Sequence, residues 1–332
     1  MSRLWPSLRR KGRAAAEAGA PPPASRINAD HVLRRLEWTV IRRLDGILQG
    51  DYRTLFRGFG LDFANLREYQ PHDDVRYIDW NVTARLQVPY VREFQEDREV
   101  AAWFLLDLSG SVDFGSGITR KLSLSIDFVA VMARLLTRQG NRVGAVLYRN
   151  GVDDVVPARA GRRHVLHLLA RIGEPPKTSG EGRETDLGEL LNRAQGTINR
   201  RSVVFVVSDF ISRPGWDKAL SLLARRHEVV AVRLFDPLEV ALPNLGLVVM
   251  QDAETGEQLF VDSHDRSFRE RFVETSKARE QALRLTLAQA GVDCVELATD
   301  DRLDEALLRF TRLRKRRSQL AAGGAMQRSA ML

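Results

Sequence analysis

Residues 101–111 read AAWFLLDLSGS. An unbroken apolar run, Ala101–Leu106, ends in an acidic residue and then in small, polar, turn-forming ones. A short run of this kind, bounded by a turn signal, is the pattern of a strand buried on both faces. The same phrase returns at Ser202–Ser208 (SVVFVVS), which ends in Asp209. Between and after them, apolar strands alternate with amphipathic helices. Helices are expected over about 119–139, 162–172, 187–195, 215–226 and 265–290, with strands at Val143–Tyr148, Val152–Val156, Glu228–Leu234 and around Cys294. Such alternation specifies a mostly parallel sheet covered by helices on both faces. The tight Asn150-Gly151 turn joins two of the strands directly, so one strand runs antiparallel at an edge. A second hairpin is expected around Glu254–Glu257.

Outside this body the sequence divides further. Residues 1–27 form a basic leader containing the Ala/Gly/Pro-rich stretch AAAEAGAPPPAS, expected to be flexible. Residues 28–100 hold a helix over roughly 29–49, with Asn28 as N-cap and Leu33, Leu36, Val40, Leu44 and Ile47 on one face. A stretch dense in aromatic, Arg and Asp residues follows, expected to form short strands and turns. Residues 101–310 form the α/β domain and 311–332 a basic tail.

In open α/β sheets, sites form beyond the carboxyl ends of the strands. Asp107 and Asp209 both sit there. Asp107 opens D-L-S-G-S, which places Ser109 and Ser111 two and four residues on, where alternate side chains of one loop can converge. A carboxylate with two hydroxyls is a hard, all-oxygen donor set, suited to Mg²⁺ or Mn²⁺ rather than zinc. A further hydroxyl is expected from a second loop: Thr185, just before a helix, with Thr178 and Ser179 as alternatives. If instead the two Asp residues only cap helices, no ion is needed. If they converge, charges about 4 Å apart repel by about 4 kcal/mol at an effective dielectric of about 20, and a cation or a proton must offset that.

This constellation resembles the metal-ion-dependent adhesion site of von Willebrand factor A domains: D-x-S-x-S, a distant Thr, then an Asp after a later apolar strand. Asp107, Ser109, Ser111, Thr185 and Asp209 match it in order. Upstream, Gly60-Leu61-Asp62-Phe63, Leu66-Arg67-Glu68-Tyr69, Asp73-Asp74, Arg76, Ile78-Asp79-Trp80 and Ala84-Arg85 resemble the signature of a bacterial family known as domain of unknown function fifty-eight. Its genes often neighbour those of MoxR-type AAA+ ATPases. The likeness runs from about residue 35 to 310. Where members commonly have Pro-Gly-Asp-Asp, this chain has Pro71-His72-Asp73-Asp74. The resemblance implies a von Willebrand factor A-like fold with an N-terminal helix and a small β-rich extension. Arg67, Glu68, Asp73, Asp74, Arg76, Asp79 and Arg85 form either a partner-reading surface or, the preferred reading, an ion-pair network pinning the extension down. Tyr69, Tyr77 and Trp80 are expected to anchor it in the core.

Charge distribution narrows the function classes. The net charge of +8 splits into +7 over residues 1–57, +6 over 311–332 and −5 over the body between them. Basic ends can meet nucleic acid, anionic lipid or an acidic protein surface, but solvated tails are the plainer reading and nucleic acid is not the expected partner. No run approaches the ~18 consecutive apolar residues that cross a bilayer. The basic start lacks a secretory apolar core, so a cytoplasmic location is expected. The single cysteine, Cys294, reads as a buried thiol on a strand. His164 and His167 read as surface histidines, and neither a P-loop nor a G-x-S-x-G elbow occurs. The leading expectation is a non-enzymatic, Mg²⁺-dependent protein-binding module without a small-molecule substrate, its partner a MoxR-type ATPase or a client of it. The alternatives are a Mg²⁺-dependent phosphohydrolase acting through Asp107, or nucleic-acid binding through the basic ends.

Overall fold

The computed structural model describes residues 6–8, 28–42, 44, 65–70, 75, 78, 80–93, 101–117, 119–175, 184–252 and 258–314. Along the chain these build β1 (Pro6–Leu8), α1 (Ala29–Leu36), β2 (Asn65–Glu68), α2 (Trp80–Leu86), β3 (Tyr90–Glu93), β4 (Ala101–Asp107), α3 (Lys121–Arg138), β5 (Arg142–Tyr148) and β6 (Val152–Arg159). Then come α4 (Arg162–Ile172), α5 (Leu187–Thr197), β7 (Val203–Ser208), α6 (Trp216–Arg226), β8 (Glu228–Phe235) and the short α7 (Pro237–Val240). The hairpin strands β9 (Leu247–Asp252) and β10 (Gln258–Asp262), α8 (Arg266–Gln289) and β11 (Asp293–Ala298) follow. A last helix, α9, covers 303–314.

Six strands form the main sheet in the order β11-β8-β7-β4-β5-β6. All neighbours are parallel except β5 and β6, which the Asn150-Gly151 turn joins antiparallel at one edge. Counted along the chain, the first three strands extend the sheet one way from β4 and the next three extend it the other way from β7. This is the doubly wound order whose reversal, between β4 and β7, opens the ligand-binding crevice of such folds. The fold is von Willebrand factor A-like, as the sequence leads one to expect.

The period of two along a strand explains how one run serves two cores. Phe104 and Leu106 face the layer made by α1, α3, α4 and α9, with Leu33, Phe128, Met132, Leu168 and Leu307. Trp103 and Leu105 face the layer of α5 and α6, with Leu190, Leu191, Leu220 and Leu223. Phe104 stacks on Phe205 of β7 at 5.3 Å between ring centroids. Because β4 is central and buried on both sides, its last residue is fixed more firmly than a loop could fix it.

The N-terminal helix starts where expected: the Asn28 side chain accepts the His31 N–H at 3.1 Å. Its α-helical turns end at Leu36 and pass into a wider π turn over Glu37–Ile41, where Glu37 accepts from Arg134 at 3.1 Å. Ile47 lies outside the described residues, as do residues 9–27 of the leader, residues 315–332 of the tail and residues 253–257, where a hairpin is expected. Pro6–Leu8, within the leader, pairs antiparallel with β9.

Three expectations need correction. The segment after Gly58 contains a helix, α2, as well as the strand pair β2–β3. Trp80, expected in the core, opens that helix and is 68% exposed, while Tyr69 is half-buried. His164 is buried rather than on the surface: its Nε2 is 2.8 Å from the Val143 carbonyl, which gives the ring the partner that burial requires. His167, one turn away, is exposed. Cys294 lies on β11 as expected and is half-buried, with its thiol pushed up to about 12 mainly by burial.

Candidate functional site

The sheet reversal places the ends of β4 and β7 side by side, and the residues there form one hydrogen-bonded cluster. Asp107 is fully buried. One of its oxygens, Oδ1, accepts the Ser109 hydroxyl at 2.6 Å and the Ser109 N–H at 3.1 Å. The other, Oδ2, accepts the Ser208 hydroxyl from the end of β7 at 2.7 Å. Ser109 and Ser111 have their hydroxyls 3.2 Å apart, held by a 3₁₀ turn over Gly110–Asp113. The serines are buried but not sealed, at 6% and 9% exposure. Asp107, Ser109 and Ser111 therefore converge as their alternate spacing implies.

Past β7 the chain turns sharply. Phe210 takes φ +58°, a left-handed conformation that is strained for a bulky side chain. The turn lets the Phe210 N–H reach the Ser208 hydroxyl at 2.9 Å and the Ile211 N–H reach Asp209 Oδ1 at 3.0 Å. Thr185, 2% exposed, lies on the neighbouring loop. Its carbonyl accepts the Arg213 N–H and the Ser212 hydroxyl, at 2.9 and 3.0 Å, tying that loop to the one after β7. Asp186 then caps α5 by accepting the Glu189 N–H, and its own N–H reaches the Tyr148 hydroxyl. Thr178 and Ser179 lie outside the described residues.

Asp209 brings in residues the sequence reading missed. Its Oδ2 accepts a 2.8 Å bond from Lys121 Nζ, and the same ammonium donates to Glu239 Oε1 at 2.7 Å. Lys121 is fully buried and is the first residue of α3. The turn before it is tight: a Cβ at Gly115 would lie 2.5 Å from the Thr119 carbonyl, and the Lys121 N–H closes on Phe114 O at 2.9 Å. Asp236 anchors the same turn by accepting the Ser116 N–H and hydroxyl, at 2.9 and 2.7 Å. Asp236 also caps α7, in a reciprocal box with Glu239. One signal in the sequence marks Lys121: it shares a helical stripe with Ser125 and Phe128, both buried, where a solvated lysine does not belong.

Burial raises the Asp107 carboxyl to about 6, with the charge of Asp209 adding to the effect and the serine hydrogen bonds opposing it. Burial alone would lower the Lys121 pKa, but the Asp209 and Glu239 charges outweigh it and the ammonium is held charged. Burial raises Glu239 against the pull of Lys121.

A hard divalent ion is tested here by the donor set itself. Octahedral Mg²⁺ with ligands at about 2.0–2.1 Å has neighbouring oxygens about 2.9 Å apart. The Ser109–Ser111 and Ser109–Asp107 spacings, 3.2 and 2.6 Å, bracket that value. Asp107, Ser109 and Ser111 fit such an ion, whereas Asp209 has one oxygen on Lys121 and the other on a backbone N–H.

Of the upstream signature, Asp73, Asp74, Arg76, Asp79 and Tyr77 lie outside the described residues. Arg67 falls on β2 and Arg85 on α2; Glu68 is exposed.

A doubly wound sheet whose reversal point carries a carboxylate and hydroxyl cluster defines a von Willebrand factor A-like α/β protein. The chain belongs to the family described as Protein of unknown function DUF58, which matches residues 65–282. It is 37% identical over 284 residues to uncharacterized proteins of Mycobacterium bovis and Mycobacterium tuberculosis, covering 86% of this chain and 89% of theirs. Among solved structures it is similar to the conserved hypothetical protein BatB from Bacteroides thetaiotaomicron, at 13% identity and a TM-score of 0.38, over 65% of this chain and 99% of that one. It is also similar to the SpRpn10 VWA domain, at 13% identity and a TM-score of 0.34, over 63% and 93%. The fold itself is read from the strand order above.

Proposed function

We propose that the chain is a non-enzymatic, divalent-metal-dependent protein-binding module working through the cluster at the ends of β4 and β7. The observation that carries this is the convergence of the Asp107, Ser109 and Ser111 oxygens at the sheet reversal, at spacings an octahedral hard cation accepts. Asp107, Ser109 and Ser111 would hold Mg²⁺, or Mn²⁺, with the Thr185 loop beside them. When bound, the ion would supply an open coordination position for a carboxylate of the partner. The chain's own contribution is rigidity, since β4 and β7 are fixed from both faces and donors set on strand ends hold their geometry. The donor positions are then preorganised, and little ordering is needed when a partner docks.

Two further points favour binding over hydrolysis. Ser109 occupies the position two residues after Asp107 where a phosphohydrolase of the Asp-nucleophile type carries a second Asp. The Lys121 ammonium is fully buried against Asp209 and Glu239, so it is not presented to a phosphate. The partner we propose is a MoxR-type AAA+ ATPase or one of its clients, on the family's gene association. We also propose a cytoplasmic location for the module. The test is binding of the purified chain to a MoxR-type ATPase from the same organism by biolayer interferometry, in Mg²⁺ and in EDTA, for wild type and Asp107→Ala. Binding that needs both Mg²⁺ and Asp107 is expected. Binding indifferent to either overturns the mechanism.

A further inference from the structure

Lys121 stands where a lysine has little reason to stand. It is the first residue of an 18-residue helix, and a cation at a helix N-terminus opposes the macrodipole. Its side chain is fully buried, which costs free energy unless the charge is paired. Both penalties are offset by two carboxylates, Asp209 at 2.8 Å and Glu239 at 2.7 Å, with the Phe114 ring 5.8 Å from the ammonium. The placement is built: Gly115 permits the tight turn, Asp236 pins it through Ser116, and the Asp236–Glu239 capping box fixes the second carboxylate.

We propose that Lys121 is a built-in cation of the metal site: it takes Asp209 as its own partner, leaves Asp107 as the carboxylate available to a metal, and holds the site's affinity for divalent ions low. This rests on the reading of the cluster as a metal site and adds what tunes it. A positive charge on the neighbouring carboxylate repels an incoming divalent ion and removes one anionic ligand from its shell. Both effects act in a desolvated site, where charge interactions are strong. An ion held this weakly is retained when a partner adds a further carboxylate, so metal and partner are taken up together.

The experiment is calorimetric titration of the full chain with Mn²⁺, as wild type, Lys121→Met and Lys121→Arg. Lys121→Met is expected to bind Mn²⁺ ~10-fold or more tightly than wild type, and Lys121→Arg as wild type does. Equal or weaker binding by Lys121→Met overturns the proposal, since a lysine that merely braces the fold or orients Asp209 as a ligand predicts that result. If Lys121→Met does not fold without metal, Glu239→Gln replaces it. With one carboxylate fewer to neutralise Lys121, Mn²⁺ binding should weaken several-fold, and unchanged binding overturns the proposal. The outcomes separate this inference from the function it rests on. Mn²⁺ binding by Lys121→Met but not by wild type supports the lysine's role, and the metal-dependent function is then decided by the partner-binding test in Mg²⁺ and EDTA. Equal binding by both removes the lysine's role alone, and binding by neither removes both.

Discussion

Replacing Asp107 by Asn removes a charge that the fold holds at a cost when no metal is present, and the effect can be sized. The carboxyl is raised from 3.8 to about 6, chiefly by burial and next by Asp209. The folded state therefore keeps its proton over a pH range in which the unfolded chain has lost it. Stability from this group is full below about pH 4, falls as pH rises to about 6, and then levels. A shift of about two units corresponds to ~3 kcal/mol between the ends of that range. For a chain of this size that is about 4–6 °C in melting temperature. Asn preserves the shape and most of the hydrogen bonds but cannot ionise. Urea unfolding in EDTA, from pH 4 to 8, measures both proteins. The stability of Asp107→Asn relative to wild type should grow by about 3 kcal/mol across pH 4 to 6 and stay constant above it. A difference independent of pH would mean that Asp107 ionises in the fold as freely as in the unfolded chain. The buried, mutually repelling pair would then be refuted.

Other perturbations test the scaffold around the site. Phe104→Ala empties a fully buried position stacked on Phe205 and should cost about 3–5 kcal/mol, read as a lower urea midpoint with an unchanged slope. His227 is buried, neither ring nitrogen has a hydrogen-bond partner among the described residues, and burial followed by Arg226 lowers its pKa below 6.5. The neutral ring's contribution is thus lost as pH falls below about 6.5, and His227→Phe should remove that part of the acid-side loss in the same titration. Trp80→Ala, at an exposed position, should change stability by no more than about 0.5 kcal/mol in urea unfolding. A larger loss would mean that α2 is held by packing through this ring.

The architecture was legible because its signals are long and redundant. Ala101–Leu106 and Val203–Ser208 are short apolar runs bounded by turn signals, the pattern of strands buried on both sides, and each delivers an Asp to the reversal point. The spacing of Ser109 and Ser111 was enough to bring their hydroxyls together, because a loop leaving a fixed strand end has little freedom. Lys121 was not read as part of the site, since its partners lie 88 and 118 residues away and no local pattern links them. The helix α2 was missed because seven residues, WNVTARL, are too few for a 3.6-residue period to declare itself. Trp80 was misplaced by composition alone: an aromatic in an apolar-looking stretch is not bound to face the core. The sequence alone puts His164 on the surface, because the carbonyl that receives it, Val143 O, belongs to another element 21 residues away.

The central claim is that the cluster at Asp107 binds a divalent ion, and thermal unfolding tests it most directly. Wild type and Asp107→Ala are melted in EDTA and across a Mg²⁺ titration. An ion that binds only the folded chain raises its stability by RT ln(1 + [L]/Kd), ~2.7 kcal/mol at a hundredfold excess over Kd. The account predicts a melting temperature that climbs with Mg²⁺ for wild type and stays flat for Asp107→Ala. Equal responses from the two proteins, or none from either, would contradict it.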